Sequence, residues 1–177
     1  MSFCADRVNR VFCAAIFCAL ISTACFSTAI SAAAQASGAV VSEAKSAPDF
    51  EVPDLNGSAV ALSRFKGNKP VLVYFWATWC PHCIAVRPAV IKLRNEIPKG
   101  DLEVLAINVG GGDSLARVKK FEEANPSSLT VLYDSEGKVA RSFGVQGIPH
   151  FVLIDKGGMV KYSGHDMPQK PLETLKN

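Results

Sequence analysis

The stretch Val71-Leu-Val-Tyr-Phe-Trp-Ala-Thr-Trp-Cys-Pro-His-Cys83 decides how this chain folds. Its first half is a continuous apolar run rich in β-branched and aromatic residues, which is typical of a strand buried on both faces of a sheet. Proline suits the first turn of a helix, where no backbone donor is needed, so a helix is predicted over Pro81–Glu96. The two cysteines therefore lie where a buried strand runs into a helix.

The rest of the chain predicts an α/β fold. Apolar stretches at Leu102–Val109 and Leu129–Tyr133 predict two further strands, with a helix between them. Phe151–Ile154 and Met159–Tyr162 flank Asp155-Lys-Gly-Gly158, which is a hairpin signature. Strands that first alternate with helices and then close in an antiparallel hairpin predict a mixed central sheet with helices on both faces.

The helix after the cysteines is expected to pack one apolar face on this sheet. Val86, Ala89, Val90 and Leu93 have the spacing of such a face. Pro88 lies inside the helix and removes one backbone donor, so a kink is expected there.

The first 36 residues have the three parts of a secretory signal peptide. Arg7 and Arg10 form a short basic region, Val11–Ile21 is an apolar run, and Ala34-Gln-Ala36 is the best cleavage site. The apolar run is shorter than the roughly 18–20 residues of a membrane-spanning helix. We therefore expect export to the periplasm, with an uncleaved membrane anchor as the alternative.

The cysteine distribution and the charge agree with an exported protein. The chain has six cysteines, four of them in the first 36 residues, so removal of that segment leaves one pair and no stray thiol. A single cysteine pair without a free thiol suits a protein in an oxidising compartment. The formal net charge is +3 and there is no polybasic block, so nucleic acid is not expected as a partner.

The pair Cys80 and Cys83 allows three interpretations. A structural disulfide would close a loop of only four residues and would stabilise the fold little. A metal site would need further ligands, but the chain has no second Cys-x-x-Cys, and His82, His150 and His165 are scattered along it. A reversible dithiol is favoured, because the N–H groups and dipole at a helix N-terminus stabilise a thiolate.

These positions suggest a role for each residue of the motif. Cys80, at the start of the helix, is expected to attack the partner and form a mixed disulfide, and Cys83, one turn deeper, is expected to resolve it. His82 lies beside the sulfurs and can stabilise a thiolate. Alternatively, it is only a solvated helix residue.

Several motifs together resemble the thioredoxin superfamily. Trp76–Cys83 with Pro88 is similar to its active site and helix proline, and Gly147-Ile-Pro149 is similar to its cis-proline loop. Ala47-Pro-Asp-Phe50 and Leu62–Gly67 further resemble the exported TlpA/ResA-like branch. The resemblance runs from about residue 47 to residue 164.

The resemblance implies a thioredoxin-like domain over residues 48–177, after a signal peptide of residues 1–36 and a flexible lead-in of residues 37–47. It implies that Pro149 is cis, faces the disulfide and keeps metals off the sulfurs. The backbone of Ile148 would pair with an extended substrate segment, and Trp79 would contact the substrate too. No cofactor is expected. The implied partners are protein thiols and disulfides, and a membrane or periplasmic redox partner that resets the pair.

Three positions depart from the family pattern. Thioredoxins have an aspartate where this chain has Tyr74, and ResA-like proteins have a glutamate where it has Val86. Neither usual proton acceptor for Cys83 is therefore present. His150 stands where a threonine is common, and it is either an exposed strand residue or a group that tunes Cys80.

Two features of the sequence indicate opposite directions of electron flow. The Pro-His dipeptide between the cysteines resembles the strongly oxidising DsbA pair. The scaffold resembles branches that mostly act as reductases, including in cytochrome c maturation. DsbA-like oxidases also carry a helical domain before the cis-proline, and residues 84–148 leave little room for one. A reductase is therefore favoured over an oxidase.

Two other functions remain open as alternatives. One is a peroxiredoxin-like peroxidase, although such enzymes have Thr-x-x-Cys and Thr78 lies two residues before Cys80 rather than three. The other is a copper- or metal-binding module that uses Cys80, Cys83 and a histidine.

Overall fold

The computed structural model describes residues 45–176. The predicted signal peptide and most of the predicted lead-in lie outside this range. In chain order the elements are β1 (Glu51–Pro53), β2 (Ala59–Ala61), a 3-10 turn (Leu62–Phe65), β3 (Val71–Trp76), α1 (Pro81–Glu96), β4 (Glu103–Asn108), α2 (Leu115–Ala124), β5 (Thr130–Tyr133), α3 (Lys138–Ser142), β6 (His150–Ile154), β7 (Val160–Gly164) and α4 (Pro171–Thr174).

The main sheet has five strands in the order β5-β4-β3-β6-β7. The β3–β4 and β4–β5 pairs are parallel, whereas β3–β6 and β6–β7 are antiparallel. A separate antiparallel pair is formed by β1 and β2. This arrangement confirms the predicted mixed sheet and its closing hairpin.

Strand β3 is the centre of the fold, and every residue in it is buried. Val71, Val73 and Phe75 point to one core, which the 3-10 turn, the β1–β2 pair and α3 cover. The alternate side chains of β3 point to a second core, which α1, α2 and α4 cover. A strand covered on both faces has to be apolar throughout, which explains its sequence.

The expected apolar face of α1 packs against the core at Val86, Val90 and Leu93. The helix buries Cys83, Arg87, Val90 and Arg94, whereas Ala89 is exposed. The spacing of apolar residues is therefore correct except at Ala89, but it does not reveal the two long cationic side chains that also pack on the core side.

Arg87 can be buried because it has aromatic and charged partners. Its guanidinium lies 4.8 Å from the ring centroid of Trp76 and 5.3 Å from that of Phe121. It donates to both carboxylate oxygens of Glu122 at 2.6 Å and to the Ser127 hydroxyl at 3.0 Å. Burial raises the pKa of Glu122, and the charge of Arg87 opposes that rise. The pair joins α1 to α2.

The last residues of the predicted lead-in are paired with the hairpin. Ser46 bridges Met159 in antiparallel fashion, and the Ala47 N–H donates to the Gly158 carbonyl at 2.9 Å. Residues 45–47 are thus held against the sheet. None of the helices between residues 45 and 176 has the length and apolar character that crossing a membrane requires.

The Arg87–Glu122 pair gives a stability prediction. Arg87→Met leaves the Glu122 carboxylate without its charged partner, so the free energy of unfolding in urea at pH 7 is expected to fall by about 2–3 kcal/mol. Arg87→Met combined with Glu122→Leu removes both charges and is expected to recover most of this loss. Lys92→Met, which breaks the exposed Lys92–Glu96 pair on the same helix, is the control and should change stability little. A single variant as stable as the double variant would contradict the prediction.

Candidate active site

Cys80 and Cys83 are joined by a disulfide at the start of α1. Cys80 is the N-cap residue, with extended backbone angles (φ −92°, ψ 104°), and Pro81 occupies the first helical turn. The Cys80 sulfur accepts the Cys83 N–H at 3.1 Å, so a sulfur takes the capping role that a serine or aspartate oxygen usually has. Cys80 keeps 4% of its surface exposed and Cys83 keeps none.

Tyr74 lies beneath the first turn of α1. Its hydroxyl donates to the Cys83 carbonyl oxygen at 2.8 Å. Burial raises the pKa of Tyr74 well above its ordinary value, so the phenol stays neutral. At the position where thioredoxins have an aspartate, this chain therefore has a neutral hydrogen-bond donor to the helix backbone.

The segment before β6 faces the disulfide from the other side. The Ile148–Pro149 peptide bond is cis, and Pro149 is buried. The Ile148 carbonyl oxygen lies 3.8 Å from the Cys80 sulfur.

His165 supports this loop from behind. Its Nδ1 lies 2.9 Å from the Pro149 carbonyl oxygen. A carbonyl oxygen only accepts, so Nδ1 carries the proton in this contact. The imidazole thereby ties the end of β7 to the loop that contacts Cys80.

The three histidines meet around this site, although they are far apart in the sequence. The rings of His150 and His165 lie edge to face with centroids 5.2 Å apart. His82 and His165 line the same groove of about 480 Å³, together with Ile148 and Pro149. Within residues 45–176 there is no group of three or more His, Cys, Asp or Glu side chains placed to hold a metal ion.

His150 is held in its neutral form. Its Nε2 lies 2.9 Å from the Ser163 hydroxyl, whereas its Nδ1 is buried without a hydrogen-bond partner. Burial lowers the pKa of His150, and the neighbouring His165 lowers it further. Protonation would place a second N–H where the surrounding protein offers no acceptor.

Trp79 directly precedes Cys80 in the chain and is 52% exposed. Its indole N–H donates to the Gly111 carbonyl at 2.7 Å. A Cβ atom on Gly112 would come within 2.9 Å of the indole nitrogen, and Gly112 has a φ of +76°, so glycine is required there for two reasons. The Gly110-Gly-Gly112 stretch therefore packs against the Trp79 ring.

Most of the predicted site residues come together. Cys80, Cys83, Ile148 and Pro149 contact one another or share the groove with His82. Val86 lines the groove as well, whereas Trp79, the neighbour of Cys80 in the chain, contacts the loop before α2. His165 was not among the predicted site residues, since it follows the hairpin in a stretch without a motif.

Comparison with known proteins places the chain in a family. Residues 44–163 match the model of the AhpC/TSA family. The chain therefore belongs to the AhpC/TSA family. Within its thioredoxin-like proteins it is a thiol:disulfide oxidoreductase, as the following relatives indicate.

A thiol-disulfide oxidoreductase ResA of Geobacillus thermodenitrificans (strain NG80-2) is 36% identical over 121 residues, which is 68% of each chain. A crystal structure of the exposed lipoprotein thioredoxin Etrx1 from Streptococcus pneumoniae strain TIGR4 superimposes with a TM-score of 0.64 at 32% identity, covering 73% of this chain and 98% of that one. A chloroplastic protein of Oryza sativa subsp. indica that carries the name peroxiredoxin Q is 36% identical over 147 residues, 77% of this chain and 66% of its own.

The lowered pKa of His150 predicts a pH dependence of stability. Below about pH 6.5, the ordinary pKa of histidine, the unfolded chain binds a proton that the folded chain does not take up until the pH is lower. The free energy of unfolding should therefore fall as the pH drops from about 6.5 towards the folded pKa. His150→Thr is expected to reduce this slope, measured by urea unfolding at several pH values. Lys161→Gln on the neighbouring strand is the control, and an unchanged slope in His150→Thr would refute the assignment.

Proposed function

We propose that this chain is an exported thiol:disulfide oxidoreductase in which Cys80 attacks the substrate and Cys83 resolves the mixed disulfide. The observation that carries this assignment is the position of the two sulfurs at the start of α1. Cys80 is the partly exposed one and caps the helix, whereas Cys83 is fully buried one turn below. A substrate sulfur can therefore reach Cys80 but not Cys83.

The proposed reaction starts from the reduced pair. The Cys80 thiolate attacks one sulfur of a substrate disulfide, which forms a mixed disulfide and releases the other substrate sulfur as a thiolate. Cys83, once deprotonated, attacks the Cys80 sulfur, which releases the second substrate thiolate and forms the Cys80–Cys83 disulfide. Two electrons pass from the protein to the substrate, and each released thiolate takes up a proton. A second redox partner must then reduce the pair.

The backbone at Ile148 supports a mode of substrate binding. Its carbonyl oxygen lies 3.8 Å from the Cys80 sulfur, and the neighbouring groove is open to an extended chain. A substrate segment running along this loop would place its cysteine against Cys80, with backbone hydrogen bonds in the manner of an added strand. His82 lies on the groove wall, where it can stabilise a thiolate at Cys80.

The reductive direction is supported by the absence of an inserted helical domain. The part of α1 after Cys83, together with β4, α2, β5 and α3, accounts for the chain between the cysteines and Pro149. The Pro-His dipeptide favours the opposite direction. We give more weight to the scaffold, because a protein named ResA is 36% identical over 68% of this chain.

Export is proposed from residues 1–36, which lie outside the described part of the chain. Their basic start, apolar run and small-residue cleavage site are those of a signal peptide. The similarity to a protein named as an exposed lipoprotein agrees with an extracytoplasmic location. The test is the amino-terminal sequence of the protein purified from a host with a periplasm, which begins at Ser37 if the proposed cleavage after Ala36 occurs.

A trapping experiment tests the roles of the two cysteines. Cys83→Ser removes the resolving thiol, so incubation with insulin or another protein disulfide is expected to accumulate a mixed disulfide on Cys80. Cys80→Ser is expected to trap nothing and to lose turnover, because Cys83 is buried. Mass spectrometry under non-reducing conditions identifies the linked cysteine. A stable adduct on Cys83 would reverse the assignment.

The same protein samples can be used to distinguish an oxidoreductase from a peroxidase. The peroxidase alternative is favoured by the relative that carries the name peroxiredoxin Q. Against it, both the N–H and the hydroxyl of Thr78 are bound to Asp113, so this threonine is not free to orient a peroxide at Cys80. Consumption of hydrogen peroxide or an organic hydroperoxide at a rate above that of insulin reduction would favour the peroxidase.

The direction is tested by equilibrium with glutathione. A reductase of this kind is expected to have a potential nearer to thioredoxin, about −270 mV, than to DsbA, about −120 mV. The ratio of reduced to oxidised protein is measured by thiol alkylation across a series of glutathione mixtures. A value near that of DsbA would show that the Pro-His dipeptide outweighs the scaffold and that the protein is an oxidant.

A further inference from the structure

Asp113 joins the two loops that border Cys80. It belongs to the connection between β4 and α2, yet it binds the connection between β3 and α1. Its Oδ2 accepts the Thr78 N–H at 2.8 Å, and its Oδ1 accepts the Thr78 hydroxyl. Both contacts join residues that are 35 positions apart in the sequence, and Thr78 lies two residues before Cys80.

The Asp113 carboxylate is fully buried, with no exposed side-chain surface. It also accepts the side-chain N–H of Asn108 at 2.8 Å. The other end of that amide, Oδ1, accepts the Gly110 N–H at 3.0 Å, which fixes the orientation of the amide. Arg117 lies 3.9 Å from Oδ1 and is 61% exposed. A buried carboxylate with this many donors holds its neighbours in one arrangement.

Residues of the loop before Cys80 also contact the loop that contains Asp113. Trp79 donates from its indole to the Gly111 carbonyl, and its ring lies against Gly112. Arg117 donates to the Gly112 carbonyl at 2.7 Å and so steadies the same turn. The loop before Cys80 is thus held by Asp113, and the exposed Trp79 is held by the glycines that precede Asp113.

We propose that Asp113 is a positioning residue for protein substrates: it holds the Thr78–Trp79 segment so that the exposed indole face stays beside Cys80 as a docking surface. The proposal rests on the function proposed above, in which Cys80 attacks the substrate. It distinguishes two substrate classes. A protein disulfide is large enough to contact Trp79 while it reacts with Cys80, whereas a small disulfide such as oxidised glutathione depends mainly on the sulfur itself.

The test compares these two substrates in the full chain. Asp113→Ala is expected to raise KM for insulin about tenfold or more, while kcat for insulin and the rate with oxidised glutathione stay within about threefold of wild type. Trp79 emission should change in the same variant, with Trp79→Phe identifying its share of the signal. Asp101→Ala, which removes an exposed acid from another loop, is the matched control and should behave as wild type.

A conservative variant separates positioning from charge. In Asp113→Asn the amide oxygen can accept the Thr78 N–H and the Asn108 donor, and the amide nitrogen can donate to the Thr78 hydroxyl, which turns to accept. KM for insulin in Asp113→Asn is therefore expected within about threefold of wild type. If Asp113→Ala does not fold, Thr78→Val, which removes only the hydroxyl contact, decides the question, and an unchanged KM for insulin in that variant would overturn the proposal.

Two further results would overturn it. One is an Asp113→Ala protein that matches Asp101→Ala with both substrates. The other is a parallel loss with insulin and glutathione, which would place the effect on the sulfurs or on the fold. Failure of the proposed function is distinguishable from both, since it would appear in the wild-type protein as a lack of insulin turnover or of a Cys83→Ser adduct.

Discussion

The burial of β3 on both faces is the constraint on which the site depends. Because no residue of this strand reaches water, the chain can become polar only where the strand ends, at residues 77–80. Strand β4 runs parallel to β3 and so ends at the same edge, with Asn108 opposite Trp76. Strand β6 runs antiparallel and begins there, with His150 opposite Phe75. One buried strand thereby brings three loops together, and the disulfide lies among them.

The helix that carries the cysteines is anchored by polar contacts within an apolar core. Tyr74 binds the backbone of its first turn, and Arg87, one turn beyond Cys83, stacks on Trp76 and pairs with Glu122 of α2. Removing one partner of such a contact leaves a buried polar group without compensation, which costs more than the contact itself contributes. These contacts therefore act mainly on specificity: they fix which face of α1 turns inward and hence the depth at which Cys83 lies.

Local sequence patterns are sufficient to predict the helices and strands, but they do not predict the contacts between loops. The limits predicted for α1 match those in the structure, since proline and the helix N-terminus are local signals. The predicted face of α1 is confirmed at Val86, Val90 and Leu93, but it omits Arg87, because apolar spacing takes no account of an arginine that stacks on an aromatic ring. His165 and Asp113 act through hydrogen bonds to residues 16 and 35 positions away, and no periodicity or spacing rule encodes such pairings. The motif-based prediction found the sulfurs and the proline loop, whereas the residues that support them required the fold.

The neutral Tyr74 changes what the interior can do for Cys83. A buried carboxylate near the resolving thiol could accept its proton, whereas one that stayed charged would repel the resulting thiolate. Tyr74 does neither, because its phenol stays protonated and donates to the Cys83 carbonyl rather than to the sulfur. The resolving step itself supplies an acceptor, since the substrate sulfur that leaves Cys80 departs as a thiolate and needs a proton. The proton that Cys83 loses and the proton that the leaving thiolate gains are equal in number, so the resolving step balances overall without a carboxylate at the position of Tyr74.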